Sequence, residues 1–324
     1  MHGKRWCGGI VLALAVVAAA TGVRAEESTG GIALAVDGTP LLRYQHTVVS
    51  PPAGYRERIP AQARRYAVVR SGYLHPLFGP HGEELTADWS HDHPHHRGVY
   101  WAWPEVVFRG EMKDLHALQG VFSRPVGKPE VARANDGAAE LHAVNQWMWN
   151  DETPIVREEV TIRGAKKNAG HDRYVDLTIK LAALEEGVTI ARRQAKLYGG
   201  LNIRLAPVTG LKLVHHADPV PTAVTAQDRQ VAWQYASGVW RGANEPTTLV
   251  VFEDTANPGY PGDYIQYPNL PWFQPTFPPA GQRYELKQDK PLTLRYRFWI
   301  VDGAAPDEEQ LRNEWSRFNP PAKE

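Results

Sequence analysis

The sequence predicts an all-β protein, a large antiparallel β-sandwich with one short C-terminal helix. Two observations carry that reading. Apolar and polar residues alternate with a period of two in segments separated by Gly, Pro and Asp-Gly, and helix signals are scarce, the clearest lying at the C-terminal end.

The elements follow in order. Ile32 to Val36, Asp37-Gly38 and Pro40 to Tyr44 read as a hairpin, because Asp-Gly accepts the positive φ angles of a two-residue turn. Tyr174 to Leu181 alternates, turns at Glu186-Gly187 and resumes over Val188 to Ala191. Thr247 to Glu253 and Leu292 to Val301 are two further strands. In the second, Leu292, Leu294, Tyr296, Phe298 and Ile300 share one buried face, which leaves Thr293, Arg295, Arg297 and Trp299 to line a groove. Proline-rich Asn257 to Pro279 reads as an irregular loop region. Pro306 and Asp307 start the helix, where Leu311, Trp315 and Phe318 recur at i, i+4 and i+7 and dock one stripe on the sheet.

The N-terminus carries a secretory pattern: Lys4 and Arg5, an apolar run from Ile10 to Ala20, then Val23-Arg24-Ala25 before a cleavage point. The expected organisation is a signal peptide over 1–25 and a single β-domain over 26–324, exported to the periplasm or beyond. About 300 residues would equally serve two smaller packed sandwiches. The apolar run is about half the ~20 residues a membrane span needs, and no later segment is as apolar, so no span is expected after cleavage. The only cysteine, Cys7, falls in the leader, which leaves the mature chain without thiol chemistry. The leader contains Lys4, Arg5 and Arg24 and no acid, so the 36 bases fall to 33 against 36 acids, a formal charge of −3. Such a near-neutral surface argues against nucleic acid or anionic membrane as partner. Eleven Trp and thirteen Tyr suit either a sugar-handling surface or aromatics packed between sheets.

The densest chemistry is Ser90-His91-Asp92-His93-Pro94-His95-His96-Arg97-Gly98, which runs into Val99-Tyr100-Trp101-Ala102-Trp103. Read as an extended strand, His91, His93 and His95 converge while Asp92 and His96 point the other way. No cofactor is required by the sequence. A His-x-His pair can present two nitrogens to zinc, copper or iron, with His93, His95 and His75 as metal ligands or Glu253 as a further one. Pro94 suits a bend rather than a central strand, and Val99 and Tyr100 stand where a cupin motif expects an acid. Two other roles fit the same residues: imidazoles bonded to one another and to Asp92 to brace a loop, or metal-free acid/base chemistry. In the last, Arg97 clamps a carboxylate or oxyanion; alternatively it pairs with Asp92 or Asp88 to hold the turn before Gly98.

Three weaker groups accompany it. Glu253 to Pro261 places an acid at a strand end, with capping or turn roles for Asp254 and Asn257. Leu197 to Arg204 combines Tyr198, paired glycines that permit close backbone approach, and Arg204. His215-His216-Ala217-Asp218 ends another strand. No nucleotide loop, Gly-x-Ser-x-Gly elbow, His-Glu-x-x-His helix or EF-hand is present, which leaves phosphoryl transfer and serine hydrolysis by those routes without support.

Taken together, Leu74 to Gly82, Asp92 to Gly98, Tyr198 to Leu201, Trp233 to Gly238, Glu253 to Pro261 and Leu292 to Gly303 occur in an order that resembles the secreted bacterial family catalogued as methane oxygenase PmoA, later relabelled as a domain of unknown function. The resemblance covers most of the mature chain, and Asp92 to Gly98 is its most specific part. The methane monooxygenase subunit of that name is a multi-span membrane protein, unlike this chain. The resemblance implies a β-rich sandwich often found among bacterial genes for carbohydrate breakdown, with no agreed reaction. Its strand content is similar to the galactose mutarotase-like supersandwich, whose enzymes use His with Glu or Tyr on sugars.

The functional expectation is an exported carbohydrate-active enzyme that transfers protons at a sugar or sugar-derived carbonyl, as an epimerase, lyase or glycoside-cleaving enzyme. His93 or His95 is the expected base, His75 or His96 the acid or orienter, Arg97 the oxyanion clamp and Glu253 a second acid/base. Trp101, Trp103, Tyr198, Arg204, Asn257 and Trp272 are the expected sugar-binding residues. The competing expectations are a metal-dependent enzyme and a non-catalytic glycan-binding module.

Overall fold

The computed structural model describes residues 23–28, 30–167, 170–217, 230–267 and 269–321. The expected leader lies outside these residues except for Val23 to Ala25, which stand in the first strand, Val23–Ser28. Asp218 also lies outside them.

Two large antiparallel sheets and one small one form the fold. The first sheet has the spatial order Val23–Ser28, Gly31–Val36, Thr39–Gln45, Tyr73–Leu77, Val99–Ala102, Gly200–Arg204, Trp272–Pro275, Tyr264–Tyr267. The second runs Val208–Ala217, Ala232–Trp240, Thr247–Glu253, Leu292–Asp302, Arg173–Ala183, Thr153–Lys166, Ala139–Trp149, Val121–Pro125, with Glu130–Arg133 also paired to Ala139–Trp149. A four-stranded sheet of Arg283–Glu285, Thr189–Ala191, Glu105–Phe108 and Glu111–Lys113 stands beside them. Residues from both large sheets, among them Leu34, Leu42, Leu141, Val160, Ile179 and Phe298, share one buried apolar cluster, the core of an antiparallel sandwich. Ala139–Trp149 alternates between buried and half-buried at every residue, as a sheet with one face on the core requires. Among the described residues no helix is long and apolar enough to cross a membrane.

The Asp-Gly hairpin forms as its chemistry dictates, with φ +49° at Asp37 and +80° at Gly38. The C-terminal helix spans Glu308–Phe318. Asp307 caps it by accepting from the Gln310 N–H at 2.8 Å, and the Gln310 side chain accepts from the Asp307 N–H at 3.0 Å, a reciprocal cap worth about 1 kcal/mol. Leu311 and Trp315 pack with Trp233, Phe252 and Trp299 on the outer face of the second sheet.

Two expectations change, for the outer face of Leu292–Asp302 and for the Asn257 to Pro279 region. Trp299 lies under that helix and Arg297 is held by Asp176 at 2.6 and 2.8 Å, so the outer face of Leu292–Asp302 is covered at that end, while Arg295 stays exposed. The turn at Glu186-Gly187 and the strand after it, Thr189–Ala191, form as expected, and that strand pairs within the small sheet. The Asn257 to Pro279 region contains a hairpin, Tyr264–Tyr267 with Trp272–Pro275, whose four-residue strands are too short to show a period among the prolines.

Candidate functional site: a histidine pocket

The site gathers where central strands of the first sheet meet their loops. Val99 pairs with Ile203, Arg204 with Trp272, and Trp272 with Tyr267, so these strand ends lie side by side. The loop Ser90 to Gly98 enters there. Gly98 has φ +58°, and a Cβ on it would stand 2.1 Å from the Leu74 carbonyl oxygen, so only glycine closes the loop onto the sheet.

The loop is not an extended strand. The His96 N–H donates to the His93 carbonyl at 3.0 Å, a tight turn with Pro94 at the position its fixed φ favours. Alternation is thereby broken. His93, His95 and His96 come together, whereas His91 is exposed and turned edge-on to Tyr55. The His96 ring stacks on His93 at 4.8 Å and packs against Trp272 at 4.7 Å. His116, from the segment between Lys113 and Val121, completes the group, 5.3 Å from both His95 and His96 between ring centroids. One nitrogen from each of His95, His96 and His116 lies within 4.8 Å of the other two, and all three residues are buried. The Nδ1 atoms of His93, His95, His96 and His116 have no hydrogen-bond partner. His116 Nε2 is 3.0 Å from the Tyr100 hydroxyl.

Above the imidazoles lies a cavity of about 280 Å³, walled by Tyr66, His93, His95, His96, Ala117, Arg193, Tyr198, Tyr267, Leu270 and Trp272. Trp272 is stacked on Tyr267 at 5.1 Å and 13°, and Tyr198 meets its edge. Arg193 is fixed by Asp114 and by the Tyr198 hydroxyl at 3.3 Å. Asp114 also accepts from the Ala117 N–H at 2.7 Å, which shapes the turn carrying His116.

Electrostatics keep the triad neutral. Burial pushes the His95 imidazole down to about 3, assisted by His93 and Arg70. Burial and the neighbouring imidazoles hold His96 and His116 well below the ordinary histidine value. Buried Arg70 donates to the His116 carbonyl at 2.7 Å and packs on Tyr100. Although burial lowers it to about 10, it stays charged and adds to the cost of protonating the triad. At the rim, His93 Nδ1 is 3.2 Å from Asp92, whose carboxylate accepts from Arg204 at 2.9 and 3.1 Å. Burial opposes charge on Asp92, but His93 and Arg204 outweigh it and hold the carboxyl well below the usual range.

Of the residues expected from sequence, His93, His95, His96, Tyr198 and Trp272 line this pocket. Others do not. Arg97 is fully buried, bound to Asp88 and Tyr73 with its guanidinium 3.6 Å from the Trp89 ring centre, so it is committed to the fold rather than to an oxyanion. His75 sits in a neighbouring cavity with Nδ1 3.1 Å from the Thr86 hydroxyl, and is not a member of the metal-capable triad. Glu253 is buried elsewhere, accepts from the Gly262 N–H at 2.8 Å and is pushed up to about 7 by burial. Asn257 exchanges two hydrogen bonds with the Arg295 backbone, at 2.8 and 2.9 Å, and pins its loop. Trp101 and Trp103 lie in the core, where Trp103 Nε1 donates to the Phe277 carbonyl at 2.8 Å, so neither offers a face to a sugar. Arg204 reaches the site only through Asp92 and the Leu270 carbonyl.

Sequence reading missed His116, Tyr66, Arg193 and Tyr267. His116 is a lone imidazole in Leu115-His116-Ala117-Leu118, a pattern that carries no ligand spacing. No curated protein matches the chain. A family model described only as a family of unknown function, DUF6807, matches residues 31–316, which include every residue of the histidine pocket, and the chain belongs to that family.

Proposed function

We propose that the chain is an exported, metal-dependent enzyme that transfers a proton on a sugar or sugar-derived carbonyl held in the histidine pocket. The observation that carries this reading is the set of three buried neutral imidazoles, with nitrogens within 4.8 Å of one another, at the base of an aromatic cavity. All three have an orphaned Nδ1, and neutral imidazole is the form that ligates zinc, copper or iron. An ion bound at about 2.0–2.1 Å requires the three nitrogens to draw in by roughly 1 Å, within the reach of ring rotation. A metal there supplies Lewis acidity toward a substrate oxygen.

The chain's own groups supply the rest. His93 is the proton-transfer residue in place of the more deeply buried His95: Asp92 accepts from the His93 backbone N–H at 2.9 Å and stands 3.2 Å from its Nδ1, and Arg204 fixes Asp92, so the carboxylate orients His93 by charge and leaves Nε2 for the substrate. Tyr198, Tyr267 and Trp272 offer ring faces and edges suited to a pyranose, and Tyr66 and Leu270 help exclude water. A purely lectin-like role loses two of its expected platforms, since Trp101 and Trp103 are in the core. The oxygenase name attached to the resembling family contributes nothing to this reading.

The test is solvent exchange. Sugars and keto-sugars incubated with the protein in deuterium oxide are followed by NMR, and deuterium enters one carbon position with the wild type but not with His93→Ala. Exchange undiminished in His93→Ala contradicts the assignment. Failure of every sugar to bind or exchange contradicts the substrate class.

A further inference from the structure

We infer that the substrate site continues past the histidine pocket into a second subsite, walled by Trp89, that takes the neighbouring unit of a glycoside. This rests on the reading of the first pocket as a sugar site. A second cavity, of about 590 Å³, lies next to the first. The same loop lines both: Trp89, Ser90, His91 and Asp92 face the second, while His93, His95 and His96 face the first. On the opposite side Leu270 belongs to the first and Pro271 to the second. Between them stands Arg204, which donates to Asp92 and to the Leu270 carbonyl at 2.7 Å, so the two cavities meet at one charged bridge.

Trp89 is the distinctive element of that second cavity. Its φ is +52°, a left-handed conformation that bulky residues rarely adopt. The surroundings enforce it: the Trp89 N–H donates to Asp88 at 3.0 Å, the Arg97 guanidinium lies 3.6 Å from the indole centre, and Tyr55 meets the ring edge-on at 5.2 Å. Strain retained against a cavity by so many constraints marks a side chain whose orientation matters. It also gives buried Arg97 and Asp88 a role, as positioning residues for the indole. The indole is only half-buried, and exposed His91, Glu84 and Arg241 place donors and acceptors around the same space, the mixture of ring face and polar edge that a sugar unit demands.

The experiment measures affinities of glucose, galactose, xylose, cellobiose, lactose, maltose and xylobiose by calorimetry. At least one disaccharide is expected to bind tenfold or more tightly than its monosaccharides. Arg241→Ala and His91→Ala, both surface changes, reduce that advantage at least threefold and leave monosaccharide affinity unchanged; Trp89→Ala abolishes it where the protein folds. Monosaccharide binding without a disaccharide advantage, or an advantage untouched by Arg241→Ala and His91→Ala, overturns the second subsite and leaves the first standing. Absence of binding by every sugar overturns both.

Discussion

His93 Nδ1 stands 3.2 Å from Asp92 Oδ2, and that carboxylate is itself gripped by Arg204 at 2.9 and 3.1 Å. The pair places a held negative charge beside the one histidine at the rim, whose backbone N–H also donates to Asp92 at 2.9 Å, while the three imidazoles behind it are buried and neutral. Asp92→Asn keeps the shape but removes that charge. It is expected to lower kcat by about 10²-fold with little change in KM, in the range general acid–base catalysis contributes. Steady-state kinetics with metal content measured in parallel checks this, since a loss of metal instead of kcat places Asp92 in support of the triad.

The triad makes the fold acid-sensitive. His95 titrates at about 3 in the folded chain against about 6.5 unfolded. Below 6.5 the unfolded chain therefore takes up a proton that the folded chain refuses, and stability is lost as pH falls from about 6.5 toward 3. Each such imidazole contributes about 1.4 kcal/mol per pH unit in that window. Urea unfolding of chelator-treated protein between pH 7.5 and 5 reads the slope, and His95→Gln flattens it by about that amount relative to wild type. Parallel slopes contradict the burial argument.

Glu253 has the opposite sign. Burial raises its folded pKa from 4.5 to about 7, so its contribution is intact below 4.5 and is lost as pH rises through 7. Glu253→Gln keeps an acceptor for the Gly262 N–H and removes the charge. Thermal and urea melts should show the variant more stable than wild type at pH 8.5, by at most about 3 kcal/mol, with no gain at pH 4. An equal effect at both pH values excludes titration as the cause.

Arg97 belongs to the framework. Arg97→Met leaves Asp88 and the Tyr73 hydroxyl without their cation in a buried setting and should destabilise by about 3–5 kcal/mol. Chemical denaturation measures it. A variant of wild-type stability that lacks activity returns Arg97 to the reaction.

Strand identity was legible wherever a segment has one face on the core: Arg173–Ala183 follows from its period and the Asp37-Gly38 hairpin from its turn chemistry, while Thr247–Glu253, buried on both faces, was legible as an apolar run. The site was legible only as far as composition reaches. Asp92 to His96 announces a dense polar cluster, but one turn at Pro94 decides which imidazoles meet, and that turn reversed the expected place of His96. His116 is brought in by a long-range contact that local pattern does not encode. Trp101 and Trp103 follow the cluster in sequence and leave it in space, because a strand carries them into the core within a few residues.

Elemental analysis of the protein, loaded with zinc, copper or iron and then desalted, tests the central claim most directly. The account predicts one ion per chain, lost in His95→Ala and His96→Ala and retained in His75→Ala. No bound ion under any loading, or one retained when both His95 and His96 are replaced, contradicts it.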